Sequence, residues 1–147
     1  MRIMAIDYGD ARTGVAVSDE TLTLAGDAWV VHSKSDKEKA QAIIDEAIKR
    51  NVSCIVVGYP KNMNGTVGPR AEKSGRFAEL LRSLCGCAYE EKGAAFNIEI
   101  KLWDERMTTV SATRILNDAG KFGKNRKKAI DAVAASLILE SYIGSIK

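Results

Sequence analysis

The chain is short of the residues from which several familiar sites are built. It has one histidine, His32, and three cysteines, Cys54, Cys85 and Cys87, in 147 residues. The lone histidine argues against a zinc centre of the Cys/His type, and the cysteines form no disulfide framework. Any metal is therefore left to carboxylates. There are only two prolines, both within one stretch, and long apolar runs are absent. No segment approaches the roughly 18 consecutive apolar residues of a membrane span, and the N-terminal apolar run is interrupted at Asp7, unlike a signal peptide. No membrane association is expected, and a cytosolic location follows, in which the cysteines stay as thiols. The charge is lopsided by only +3, which permits a polyanionic partner without requiring one.

What is present is the composition of an ordinary globule, 46% apolar and 28% charged. It is long enough for one domain with its own core, over residues 1–147, and too short for two sizeable ones. Internal repeats and low-complexity segments are lacking.

The chain opens with Ile3 to Ile6, an apolar run suited to a strand buried on both faces, and Asp7 stands where that run stops. A second strand follows a tight glycine-flanked connection. Burying a carboxylate is costly unless it meets a cation, a metal or several donors. Asp7 therefore either caps the turn through its side chain or belongs to a site. Ala28 to His32 reads as a third strand. Ser35 and Glu38 form a capping-box pair ahead of an amphipathic helix through Ala40, Ile43, Ile44, Ala47 and Ile48, with Asn51 as its stop. Cys54 to Gly58 suits a buried parallel strand reached by a crossover. Gly58 to Pro69 concentrates glycine, asparagine and both prolines and must be a loop, placed at the strand end where open α/β sheets bind ligands. Arg70 to Leu84 reads as a helix with a Phe77, Leu80, Leu81, Leu84 stripe, and Cys85 to Asn97 as a surface excursion. Ile98 to Trp103 alternates as a strand near a sheet edge. It ends in Asp104 and Glu105. A helix capped by Thr108 or Thr109 carries Val110, Ile115 and Leu116 and ends near Gly120. A last helix is defined by Ile130, Val133, Ala134, Leu137 and Ile138, with Asp131 at the margin of its buried stripe.

The order of three strands, helix, strand, helix, strand, helix, helix predicts an α/β fold with a mixed five-stranded sheet flanked by helices, three antiparallel strands and then parallel ones. Acids stand at two strand ends and on the last helix. Asp7, Asp104 or Glu105, and Asp131 could converge as all-oxygen ligands for Mg²⁺ or Mn²⁺, and a pair of such ions serves phosphodiester cleavage without histidine. Counting along the strand does not choose between Asp104 and Glu105, although the longer reach of Glu105 favours it. Arg12, Arg106 and the basic segment with Lys124, Arg126, Lys127 and Lys128 are candidate phosphate contacts, and Lys61, Asn62 and Asn64 could track a nucleic-acid strand.

These residues resemble a known family. Asp7-Tyr8-Gly9 with Arg12 and Gly14-Val15-Ala16, Gly58-Tyr59-Pro60 with Asn64-Gly65, Asp104-Glu105-Arg106 with Thr108-Thr109, and Asp131 with Ala134-Ala135 look like the YqgF (RuvX-like) family, in order and nearly end to end. The resemblance implies a ribonuclease H-like fold and a nuclease, described in the family as a Holliday junction resolvase and as an enzyme maturing the 5′ end of 16S ribosomal RNA. It implies Asp7, one of Asp104 and Glu105, and Asp131 as catalytic, metal-binding acids, and pre-rRNA or branched DNA as partner, with the chain a monomer or homodimer. Two positions depart from the pattern: Ala11 stands where many members have lysine, and Tyr59 where leucine or phenylalanine is usual. A non-catalytic nucleic-acid-binding module is the alternative. A nucleotide-binding phosphotransfer domain ranks third, because such enzymes need two domains of this kind.

Overall fold

The computed structural model describes residues 2–19, 25–59, 67–92, 98–104 and 124–146, apart from the side chains of 25–26, 86–92, 124–131 and 146. Five strands, β1 (Arg2–Asp7), β2 (Arg12–Ser18), β3 (Ala25–His32), β4 (Val52–Tyr59) and β5 (Glu99–Asp104), form one sheet in the order β3-β2-β1-β4-β5. The β1, β2 and β3 pairings are antiparallel, and β4 and β5 add in parallel on the other side of β1. This is the mixed sheet expected. Strand β1 is central, and Ile3 to Ile6 are at most 1% exposed, as a strand covered on both faces requires.

Alternation along β1 divides the core. Met4 and Ile6 pack with Val15, Val17, Ile55 and Val57 against α1 (Asp36–Lys49) and α2 (Pro69–Lys92). Ile3 and Ala5 pack with Ala16 and Val56 against Ala135, Ile138 and Leu139 of α3 (Lys124–Ile146). Ala134 and Ala135 are fully buried, and side chains this small let α3 approach the sheet closely.

Helix α1 begins as its sequence predicts: the Ser35 hydroxyl accepts from the Glu38 backbone N–H. The reciprocal half of the capping box does not form, because the Glu38 carboxylate accepts instead from the Ser33 hydroxyl at 2.8 Å. Asn51 stops the helix at φ 57°, a left-handed conformation asparagine tolerates.

Three boundaries depart from expectation by three residues or more. Strand β3 starts at Ala25 rather than Ala28, because β2 offers pairing partners down to Ser18. Helix α2 continues to Lys92, so the expected excursion from Cys85 is helical for eight residues. Cys85 falls four residues after buried Leu81, is 6% exposed, and its thiol lies 3.7 Å from the Ile98 carbonyl. The last helix starts at Lys124, so the basic segment occupies its first turns. The helix expected after Thr108 lies outside the described residues.

Candidate functional site

The C-terminal ends of β1, β4 and β5 share one edge of the sheet, and Asp7 is the last residue of the central strand. Asp7 is 8% exposed. By alternation with Ile3 and Ala5 it belongs to the face that α3 covers. Arg12, half-buried at the start of β2, alternates with Gly14 and Ala16, and Gly14 pairs with Asp7. The structure thus brings Arg12 to the same face and the same end as Asp7.

The turn between β1 and β2 is fixed tightly. A Cβ on Gly9 would lie 2.1 Å from the Arg12 carbonyl oxygen, so only glycine fits there. The Thr13 hydroxyl, fully buried, accepts from the Gly9 N–H at 3.3 Å and donates to the Gly9 carbonyl at 3.2 Å. Ser33 N–H donates to the Ala11 carbonyl at 3.1 Å. The strongest clamp is Lys39 of α1, which is wholly buried. Its Nζ donates to the carbonyls of Gly9 and Asp10 at 2.7 and 2.8 Å and lies 3.1 Å from Asp36 Oδ1. The same carboxylate oxygen accepts the Tyr8 hydroxyl at 2.7 Å. Lys39 Nζ also stands 4.6 Å from the centroid of the Tyr8 ring, and that ring packs on Phe77. Burial first, then the bond to Asp36 and its negative charge, raise the Tyr8 phenol above its ordinary pKa. Sequence reasoning passed over Lys39, although Lys39, Ile43 and Ala47 lie at four-residue spacing on the buried stripe of α1.

The remaining acids divide by face. Ile98, just before β5, and Ile100 on it join the α1/α2 core, and Trp103 joins the α3 core. Asp104 therefore shares the α2 side with Ile100 and Leu102, opposite Asp7, and lines a shallow hollow with Tyr59, Val67 and Leu102. The register Ile6, Val57, Leu102 places Asp7 two strands from β5, a lateral separation of roughly 9–10 Å. The structure does not bring Asp7 and Asp104 to one face. Asp131 is carried by α3, four residues before Ala135. The Asp131 side chain, the Lys124, Arg126, Lys127 and Lys128 side chains, and Lys61, Asn62, Asn64, Glu105 and Arg106 lie outside the described residues.

The donor set suits a hard divalent cation in kind. The carboxylates at this edge are oxygen donors, while described Cys54 and Cys85 are buried in the core rather than at the strand ends. Among the described residues no three of His, Cys, Asp and Glu cluster as a complete metal site.

Comparison with known proteins gives the family and the fold. A family model described as "RuvX: Holliday junction resolvase" matches residues 1–145. A protein of Halothermothrix orenii named "Putative pre-16S rRNA nuclease" is 42% identical over 143 residues, covering 97% of this chain and 94% of the relative. Among solved structures, the yeast mitochondrial Holliday junction resolvase Ydc2 superposes with a TM-score of 0.58 at 11% identity, over 96% of this chain and 77% of that one. T. thermophilus RuvC in complex with a Holliday junction substrate gives 0.53 at 16% identity, over 99% and 97%. The fold is that of the ribonuclease H-like resolvases. Among the described residues no helix is long and apolar enough to cross a membrane.

Proposed function

The chain belongs to the RuvX family, a family of nucleases, and on that premise we propose that it hydrolyses phosphodiester bonds in structured nucleic acid with divalent metal held by Asp7, Glu105 and Asp131. The observation that carries the reading is the position of Asp7. It is a nearly buried carboxylate at the end of the central strand, beside a turn that three other segments hold rigid, on the face where α3 lies.

Strand alternation supports Glu105 over Asp104. If it persists one residue past β5, Glu105 falls on the face of Asp7. Helical spacing supports Asp131, whose position on α3 falls one turn before buried Ala134 and Ala135. Mg²⁺ or Mn²⁺, when bound, would supply activation of water and neutralise charge on the departing oxygen. The chain's own contribution is placement. Lys39 and Thr13 fix the turn and hence the direction of Asp7, α3 excludes water from one side, and Arg12 is placed to meet a phosphate on that face. The basic residues Lys124 to Lys128 occupy the first turns of α3, where the helix dipole disfavours cations and no acid stands in the first turn. A docked polyanion would relieve that conflict. Its identity is proposed from the relatives' names: the 5′ region of precursor 16S rRNA or a four-way DNA junction.

The test is a cleavage panel of four-way DNA junction, single-stranded DNA and precursor rRNA, with and without Mn²⁺. Asp7→Asn and Glu105→Gln should each lower metal-dependent cleavage by at least about 10²-fold with unchanged circular dichroism, a loss of about 2.7 kcal/mol of transition-state stabilisation. Asp104→Asn should retain most of the activity. Full activity in Asp7→Asn would remove this carboxylate from the mechanism.

A further inference from the structure

On the opposite side of the β1–β2 turn from Asp7 lies a groove of about 460 Å³, walled by the turn, the N-terminus of α1 and the first half of α2. It continues into a hollow of about 160 Å³ lined by Gly9, Asp10, Arg70 and Lys73. Its cations are Lys34, Arg70, Lys73 and Arg76, and its acids Asp10 and Asp36. Both acids are engaged already. Asp36 meets Lys39 and the Tyr8 hydroxyl, and Asp10 pairs with Lys73 at 3.1 Å. Among the described residues Lys34, Arg70 and Arg76 carry no ion pair. Three exposed cations are thus left over around one concave surface.

Their spacing is ordered. Arg70, Lys73 and Arg76 recur every third residue along α2, a ladder rising about 4.5 Å per step. A nucleic-acid strand presents one phosphate per roughly 3.4 Å of its axis. The ladder therefore spans about the length of two or three consecutive phosphates, and the groove meets the candidate site at Tyr8, Gly9 and Asp10. Crossing the end of the sheet at this point carries a bound strand from the α3 side to the α2 side.

We propose that this groove is a second phosphate-backbone track, engaging the substrate strand on the α2 side of the turn, with Lys34 and Arg76 as its principal contacts. It rests on the nuclease reading for its substrate but not on the metal chemistry. The track lies on the α2 side of the turn, opposite the face of Asp7, so it makes the protein favour substrates whose strand extends across the end of the sheet past the cleaved bond.

The experiment is equilibrium binding by fluorescence anisotropy without divalent metal, so that no cleavage intervenes, across a salt series. The probes are a labelled four-way DNA junction and a labelled duplex RNA with a single-stranded 5′ extension. The double variant Lys34→Ala/Arg76→Ala should bind at least one probe about tenfold or more weakly at 0.1 M salt, with the slope of log K against log salt reduced by about 1.8 for two lost duplex contacts. Both residues are exposed, and an unchanged melting temperature checks the fold. Lys34→Arg/Arg76→Lys should restore the slope. A loss confined to one probe supports the track and identifies its polymer. Wild-type binding with an unchanged slope and affinity in the double variant overturns the track while leaving the nuclease reading intact. No binding of either probe by the wild type overturns both.

Discussion

Lys39→Met isolates the clamp on the turn that carries Asp7. Methionine keeps most of the lysine stem's volume and removes only the ammonium, so the cavity term is small. Three polar contacts are lost, the Gly9 and Asp10 carbonyls at 2.7 and 2.8 Å and Asp36 at 3.1 Å, along with the approach of the ammonium to the Tyr8 ring. A hydrogen bond to a charged group contributes about 1.5–3 kcal/mol. The three do not add in full. The Gly9 carbonyl keeps the Thr13 hydroxyl, and half-exposed Asp36 keeps the Tyr8 hydroxyl and rehydrates. Removing a buried charge also recovers some desolvation cost. The net destabilisation expected is about 2–3 kcal/mol, a substantial share of the 5–15 kcal/mol typical of a domain. Urea denaturation should show the midpoint lowered by about 1–1.5 M at constant m. Amide exchange should locate the loss, with faster exchange at Gly9 and Ser33, whose N–H groups serve the turn, and unchanged relative protection at Ile3, whose N–H bonds Ser18 Oγ at 2.9 Å. An equal or higher midpoint with unaltered exchange at Gly9 and Ser33 would show that desolvation outweighs the contacts and that Lys39 does not hold the turn.

Gly9→Ala places a Cβ 2.1 Å from a backbone oxygen, whereas Gly144→Ala on α3 meets nothing within 4 Å. Thermal melts should show Gly9→Ala destabilised by about 1–3 kcal/mol and Gly144→Ala neutral or stabilised by up to about 1 kcal/mol through helix propensity. The raised Tyr8 pKa gives stability that is fully present below pH 10 and drains away as pH rises further, because only the unfolded chain then releases the phenolic proton. Tyr8→Phe should flatten that alkaline limb in urea titrations and cost about 1 kcal/mol at neutral pH; an alkaline limb unchanged in Tyr8→Phe would assign it to other groups. Burial pushes the Cys54 and Cys85 thiols up from their ordinary pKa, so at neutral pH both should resist alkylation in the native protein and react on unfolding, as mass spectrometry of digests would show. Native-state labelling at the rate of a free thiol would contradict their placement in the core.

The parts of the fold legible in the sequence were those fixed by local chemistry. The Ser35 cap, the Asn51 stop and the apolar run into Asp7 are each decided within a few residues, and a hairpin followed by a crossover leaves β1 between β2 and β4. The end of α2 was hidden because Cys85-Gly86-Cys87 interrupts a conventional apolar stripe with a poor helix former. Yet Phe77, Leu81 and Cys85 repeat every four residues, and cysteine buries as a small hydrophobe. Lys39 was less accessible. A lysine on an amphipathic helix usually lies in solvent, and the carbonyls that hold it are 29 and 30 residues away in sequence.

Asp104 and Glu105 form an intermediate case, because the sequence states the alternation but not which face α3 covers. Packing supplies that face, and the register of β5 then sets which of its residues share it and which oppose it. A slip of one residue would exchange the two. An edge strand is the place where such a slip is easiest, and among the described residues only β4 pairs with it. Here both flanking helices oppose it. From α2, the Arg82 guanidinium donates to the Ile100 carbonyl at 3.0 Å and the Cys85 thiol meets the Ile98 carbonyl. From α3, the Tyr142 hydroxyl accepts from Lys101 Nζ at 3.1 Å and the Ser141 hydroxyl from Trp103 Nε1 at 3.2 Å, with the Trp103 and Tyr142 rings edge to face. Odd-numbered side chains are thereby held to α3, and even-numbered residues and their carbonyls to α2. Through Trp103 and Asp104 the faces of the strand therefore cannot exchange without breaking contacts on both sides.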